Sequence, residues 1–143
     1  MITLLLGPRS AQFTAQGEPL TPLLPLGPAP LHAQWLRHAP PRPQELEAAI
    51  EAVEDLVMPL HRLLPAADTL HVQSAERAML APLAQARTRD ELEALFDRAA
   101  AIAQGRPASS DPALADPQTV AALVILREVM HHLGFTQLRI APT

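Results

Sequence analysis

The sequence predicts an α+β domain dominated by helices, with a small mixed sheet. Short β-branched or apolar runs stand at both ends of the chain and once near its middle, and apolar residues with helical spacing fill most of the rest. The 143 residues have about the size of one domain with a single core. We therefore expect one globular domain spanning 1–143, with strands and a proline-rich strap in 1–30 and mainly helices, followed by a C-terminal strand, in 43–143.

The predicted sheet draws its strands from four places. "ITLLL", residues 2–6, is β-branched and apolar and ends at a Gly-Pro pair. "AQFTA", residues 11–15, alternates weakly and is expected to pair with it across the turn "GPRS". A short central strand is predicted at 69–72 and a final strand at 135–140. We expect the N- and C-terminal strands to be neighbours in this sheet.

Prolines recur every third residue from Pro19 to Pro28, which is the period of a polyproline II helix. Two interpretations stay open. The segment is either a PxxP docking motif for a protein partner or a stiff strap that lies on the domain. We favour the strap because its leucines need burial. These leucines are Leu20, Leu23, Leu24 and Leu26.

The clearest helix is predicted at 43–64, where apolar residues follow a 4-3-4-3-4 spacing. Pro59 lies inside this pattern and removes a backbone donor. Because the apolar stripe stays in phase beyond Pro59, we predict one kinked helix and not two separate helices. The stripe consists of Leu46, Ile50, Val53, Val57, Leu60 and Leu64.

Further helices are indicated by capping residues. Short helices are predicted at 31–38 and after Ser74, which is a suitable N-cap. The sequence "TRDE" at 88–91 is a capping box that begins another helix. The last helix is predicted at 117–133, before Gly134, and should be central because its first half is apolar on nearly all sides.

Composition excludes several classes of function. The chain has no cysteine and no lysine, so thiolate metal sites, lysine Schiff bases and P-loops are excluded. Its eleven arginines are scattered, the net charge is −4 and aromatic residues make up 3%, so we expect no nucleic-acid partner. The N-terminus does not resemble a signal peptide, and the longest apolar run is too short to span a membrane. We expect a cytoplasmic protein without membrane contact.

The last helix carries a weak metal candidate, formed by Glu128, His131 and His132. Glu128 reaches the two histidines at i+3 and i+4. Adjacent histidines diverge by about 100° around a helix, so they cannot easily hold one ion together, and a third ligand must come from elsewhere. Cationic histidines in a last turn also complement the helix dipole. We therefore predict no metal and no other cofactor.

The second candidate site surrounds the single tryptophan. An aromatic ring among arginines and histidines suits a small anion or a planar acid, although a tryptophan that anchors a connector is the more common arrangement. The main helix adds a charged line that includes Glu54 and ends at His61. The candidate ligand-binding residues are Trp35, Arg37, His38, Arg42, Glu54 and His61.

No catalytic motif stands out in the sequence. We therefore expect a non-catalytic accessory or protein-interaction domain that forms a homodimer through the apolar helix stripe or the strap. The alternative is a small-molecule-binding protein or small enzyme that uses the polar residues near Trp35. The sequence leaves open whether the protein is an enzyme, and which ligand or partner it binds.

Overall fold

The computed structural model describes residues 1–141, and within them it contains five α-helices and one five-stranded mixed sheet. The predicted α+β class is confirmed. The strands are β1 (Ile2–Leu6), β2 (Ala11–Ala15), β3 (Glu18–Pro19), β4 (Thr69–Gln73) and β5 (Gln137–Ile140). The helices are α1 (Pro28–Gln34), α2 (Pro43–Val57), α3 (Arg77–Leu80), α4 (Arg89–Ala103) and α5 (Pro117–Leu133).

The strands lie in the order β3-β2-β1-β4-β5. The first three strands form an antiparallel meander, whereas β4 runs parallel to both β1 and β5. The expectation that the N- and C-terminal strands are neighbours is wrong, because β4 separates them. Leu70 and Val72 of β4 are both fully buried, and a strand of this kind gains most from a position inside the sheet.

The turn between β1 and β2 is braced by the segment that leads into α1. The Gly7 amide donates to the Ser10 carbonyl oxygen at 2.9 Å, and the Ala29 amide donates to the Pro8 carbonyl oxygen at 2.9 Å. Gly27 lies so close to this turn that a Cβ atom there would stand 2.6 Å from the Pro8 oxygen. Only glycine fits at this close approach of two backbones.

The proline-rich segment runs along the edge of the meander. Leu24 exchanges two backbone hydrogen bonds with Ala11, of 2.7 and 3.1 Å. Leu24 and Leu26 are buried, as a strap requires, whereas Leu23 is 67% exposed. Helix α1 begins at Pro28, three residues before the predicted start, because proline suits the first helical position.

One face of the sheet and the helices share a single core. Helix α5 is central, as predicted, and packs against α1, α2 and α4. The opposite face of the sheet is more polar and carries the alternate residues of each strand. The buried core side chains of the sheet include Ile2, Leu4, Leu6, Phe13, Leu70, Val72 and Leu138.

The main helix does not continue as one kinked α-helix. Helix α2 ends at Val57, and Met58–Arg62 form a 3-10 turn that contains Pro59. Proline cannot donate the backbone hydrogen bond of an α-helix, so the helical path tightens at this point. The apolar stripe still points inward, because Val53 and Val57 are fully buried. Most of the stripe is therefore core and is not free to form a dimer contact.

The helix ends predicted at Thr88, Asp116 and Gly134 are present, whereas Ser74 is not an N-cap, because α3 begins only at Arg77, after Glu76. The Glu91 amide donates to Thr88 Oγ1 at 3.1 Å, and the Thr119 amide donates to the Asp116 carboxylate at 3.3 Å. Gly134 closes α5 with a positive φ of 80°. Among the residues that the structure describes, no helix is long and apolar enough to cross a membrane.

Candidate functional site

The main candidate site lies where the strand connections diverge. After β1 the chain turns to β2 on one side, and after β4 it proceeds to β5 on the other side. In sheets with parallel strands, ligands bind outside the carboxyl ends of the strands at such a topological switch point. A cavity of about 490 Å³ opens there, and we call it the switch cleft. It is lined by Leu5, Leu6, Gly7, Ser10, Gln12, Leu23, Gln73, Ser74 and Ala75.

The polar groups of the switch cleft are neutral. Ser10 and Ser74 contribute hydroxyls, and Gln12 and Gln73 contribute amides. Ser74 is positioned by the Glu76 amide, which donates to its Oγ at 3.0 Å. Among the described residues, no aspartate, glutamate or arginine lines this cleft, so its polar contacts are hydroxyl, amide and backbone groups. These groups suit hydrogen bonds to the oxygens of an anion.

A second cavity of about 700 Å³ adjoins the first, with Gln73 and Ser74 in both walls. We call it the arginine cleft because three arginines line it, together with His71. No carboxylate among the described residues lines it, so the wall is positively charged and attracts anions. The three arginines are Arg77, Arg87 and Arg139.

Arg139 is held in place by the main chain. Its Nη1 donates to the Leu138 carbonyl oxygen at 2.7 Å and to the Arg87 carbonyl oxygen at 3.1 Å. A guanidinium group has five N–H donors, so several remain for a ligand. The floor between the arginines is apolar and includes Leu80 and Ile140. The arginine cleft therefore combines fixed positive charge with an apolar surface.

The sequence-predicted ligand site around Trp35 is not assembled. Trp35 lines an apolar slot of about 90 Å³, and neither Arg37, His38 nor Arg42 lines it. His38 Nδ1 instead lies 2.9 Å from Oε2 of Glu45. The same oxygen accepts a hydrogen bond from the Arg37 amide at 3.1 Å, and Oε1 accepts one from the Arg42 amide at 2.8 Å. These four residues brace the start of α2, and the tryptophan anchors α1 to the core.

Burial raises the pKa of the Glu45 carboxyl, but the hydrogen bonds from the Arg42 and Arg37 amides and from His38 together outweigh it. The pKa of Glu45 is therefore lowered below its ordinary value. This is a capping arrangement at the N-terminus of α2, in which the Glu45 side chain reaches back to the amide before the helix.

The two remaining candidates of that set lie apart from the tryptophan and from each other. His61 lines a separate cavity of about 270 Å³ beside Asp68. Glu54 on α2 faces Glu128 and His132 on α5, and ligand atoms of these three residues all lie within 4.8 Å of one another. We call this group the helix cluster. Glu54 was predicted as a ligand-binding residue together with Trp35, whereas Glu128 and His132 were predicted as weak metal candidates.

The helix cluster has a buried carboxylate at its centre. Glu128 is 2% exposed, and its Oε1 lies 3.2 Å from His132 Nε2. Burial raises the pKa of Glu128, while the nearby Arg127 and His132 oppose the rise. Arg127 donates to Glu128 Oε2 at 2.8 Å and to Glu93 at 3.0 Å. His131 is exposed and does not belong to this group, although its ring packs edge-on against that of His132, with centroids 4.8 Å apart.

Sequence reasoning missed the residues of both clefts. The arginines of the arginine cleft stand far apart in the chain, so no local sequence pattern indicates that they line one site. The turn "GPRS" lacks the glycines and lysine of a phosphate loop, so the sequence does not indicate a phosphate site there. Its position at the carboxyl end of β1, beside the carboxyl end of the parallel strand β4, is the feature that matters, and only the sheet order reveals it.

Comparison with known proteins gives a result at the level of the fold. No family model matches the sequence, and no curated protein matches it significantly. A solved structure of the Aquifex aeolicus PPX-GPPA enzyme is similar over 98% of this chain, with a TM-score of 0.70 and 15% identity. A type II variant of the Aquifex aeolicus Ppx/GppA phosphatase has the same TM-score and 16% identity. An exopolyphosphatase-like protein is similar with a TM-score of 0.67 and 13% identity.

The chain spans about half the length of these proteins, with 52% of the two Aquifex aeolicus chains and 53% of the exopolyphosphatase-like chain covered. The likeness overturns the prediction of a non-catalytic interaction domain, because the fold is one that Ppx/GppA phosphatases use. The sequence misled us because the groups that form the clefts carry no contiguous catalytic motif.

Proposed function

We propose that the protein is a phosphatase-type enzyme that binds a phosphorylated substrate in the switch cleft and the arginine cleft and hydrolyses it. The observation that carries this proposal is the position of the two clefts at the carboxyl ends of β1, β4 and β5, with three arginines in one wall. The fold likeness to Ppx/GppA phosphatases supports the same reaction class.

The charge distribution suits a phosphoryl group followed by a further anionic portion. The terminal phosphate would lie where the two clefts meet, at Gln73 and Ser74, within reach of the Ser74 hydroxyl and of the arginine wall. The rest of the substrate would lie along Arg77 and Arg139, since guanidinium groups bind phosphate oxygens in pairs. Among residues 1–141, no carboxylate belongs to either lining, and this matters because a like charge beside the phosphate would cost several kcal/mol.

Hydrolysis requires attack by water on phosphorus, cleavage of the bond to the leaving oxygen and transfer of the water proton. Positive groups aimed at the phosphoryl oxygens lower the barrier because they stabilise the charge of the transition state. In this chain the arginines supply that charge. His71, which also lines the arginine cleft, is the group in this wall whose imidazole nitrogens can accept and donate a proton.

The test measures binding and turnover separately. Pyrophosphate binding is followed by calorimetry, and phosphate release is followed with p-nitrophenyl phosphate, pyrophosphate and polyphosphate as substrates. We expect Arg77→Gln and Arg139→Gln each to weaken pyrophosphate binding by about tenfold to a hundredfold, as expected for loss of a charge-assisted contact. Arg62→Gln removes the same charge from the exposed 3-10 turn after α2 and serves as the matched control.

Equal binding by all three variants and by the unsubstituted protein would refute the arginine cleft as the phosphate site. Binding without phosphate release from any of the three substrates would refute hydrolysis by this chain alone. The proposal includes a cytoplasmic setting, with which the lack of cysteine agrees.

A further inference from the structure

The helix cluster shares no residue with either of the two clefts. Its residues Glu128 and His132 stand in the last turns of α5, just before β5 begins, so they are near the amino ends of the parallel strands. We propose that Glu54, Glu128 and His132 form a binding site for one divalent transition-metal ion of the Zn²⁺ class. This site is independent of the proposed phosphatase function.

Two of the three pairs of donor atoms already have nearly the separation that a metal ion requires, and the third pair lies within 4.8 Å. In a tetrahedral zinc site with metal–ligand bonds of about 2.0–2.1 Å, neighbouring donor atoms lie about 3.3 Å apart. His132 Nε2 is 3.2 Å from Glu128 Oε1 and 3.8 Å from Glu54 Oε1. Small side-chain rotations therefore suffice to place three ligands around one ion. A fourth position stays open towards solvent beside Glu54, whose side chain is 36% exposed.

The backbone holds these donors on two packed helices. Glu128 and His132 are four residues apart and share one face of α5. Two ligands at this spacing on a helix are a common basis for zinc binding. Glu54 comes from α2, which packs directly on α5. This contact supplies the third ligand that the sequence alone could not identify.

The charge balance of the region is an independent observation that favours a cation. Three carboxylates, those of Glu54, Glu93 and Glu128, belong to this contact network, and Arg127 supplies its one permanent positive charge. With a neutral His132, the network has a net charge of −2 by this count. A divalent ion would neutralise this charge.

Arg127 orients the central ligand without occupying its metal-facing oxygen. It binds Glu128 Oε2 at 2.8 Å and leaves Oε1 directed at His132. The guanidinium is itself fixed by Glu93 and by the ring of Phe96, whose centroid is 4.1 Å from Cζ. Such outer partners that hold a ligating carboxylate are typical of metal sites.

Chelator-treated protein titrated with Zn²⁺ tests this proposal by calorimetry and by thermal denaturation. We expect one ion per chain and a raised melting temperature, because the metal binds only the folded arrangement. Glu54→Gln and His132→Ala should each weaken Zn²⁺ binding by more than about tenfold. Glu54 is partly exposed, so its variant should remain folded, which circular dichroism verifies.

His131→Ala is the matched control, since it removes an exposed imidazole that is not one of the three ligands and that touches the cluster only through an edge-on contact with the His132 ring, with centroids 4.8 Å apart. It should bind Zn²⁺ like the unsubstituted protein. The proposal is overturned if the protein binds no Zn²⁺, if the Glu54→Gln and His132→Ala variants bind as tightly as the unsubstituted protein, or if His131→Ala weakens binding as much as His132→Ala does.

Discussion

Replacement of Gly27 by alanine tests how the fold positions the switch cleft. A Cβ atom at this residue would lie 2.6 Å from the carbonyl oxygen of Pro8 and 2.7 Å from Cα of Arg9. Non-bonded heavy atoms prefer about 3.5–4.0 Å, and both neighbours are backbone atoms that cannot rotate away. The turn that carries Gly7 and Ser10 must therefore shift by about 1 Å.

Two consequences follow from that shift. Overpacking of a tight contact costs about 1–3 kcal/mol, which corresponds to a melting temperature lowered by about 3–10 °C for a chain of this size. Displacement of binding groups by about 1 Å lowers catalytic efficiency by up to about a hundredfold. We therefore expect Gly27→Ala to impair pyrophosphate binding and phosphate release more strongly than its loss of stability explains.

The assay combines thermal denaturation, pyrophosphate calorimetry and amide chemical shifts at Gly7 and Ser10. Gly17→Ala is the control, because Gly17 has a φ of +81° but open space around its Cβ position. The Gly17→Ala variant should lose about 1 kcal/mol of folding stability through backbone strain, and the amide chemical shifts of Gly7 and Ser10 should stay unchanged. An unchanged melting temperature together with unchanged Gly7 and Ser10 amides in Gly27→Ala would refute the steric argument.

Three further predictions concern stability and assembly. Since the pKa of Glu45 is lowered in the folded protein, its contribution to stability is complete above the unfolded pKa of about 4.3 and is lost as the pH falls through the folded value. Glu45→Gln should therefore flatten the acid limb of the stability profile, and an unaltered acid limb would contradict this. Gly134→Ala should lower the free energy of unfolding by about 1 kcal/mol, because the residue that ends α5 has a left-handed backbone. Urea denaturation measures this change, and an unchanged free energy would show that the φ of +80° is not maintained. We still propose a homodimer, now through the part of the strap that lies outside the switch cleft, and light scattering that stays at the 15.4 kDa monomer mass across concentrations would refute it.

The sequence by itself determined the local elements of this protein. The predicted strands at 2–6 and 11–15 are present, and the caps at Thr88, Asp116 and Gly134 have the expected roles. These features depend on groups a few residues apart, such as a side-chain oxygen and an amide three residues later. Their energies are set locally, so the pattern of residues is sufficient to predict them.

Pro59 marks the limit of that local reasoning. The spacing of apolar residues correctly indicated that the chain stays helical and that Leu60 remains buried. The same spacing could not distinguish a kinked α-helix from an α-helix followed by a 3-10 turn. Both place the stripe on the core, and the choice depends on how the turn packs after the lost hydrogen bond.

The tertiary structure alone decided the order of the strands and the sites that follow from it. The position of β4 between β1 and β5 creates the switch cleft, and no residue pattern within a single strand specifies which neighbour it pairs with. Likewise Glu54 and His132 stand far apart in the sequence and meet only because α2 packs on α5. Such convergence depends on the packing of distant segments, which is a property of the whole core and not of any local spacing.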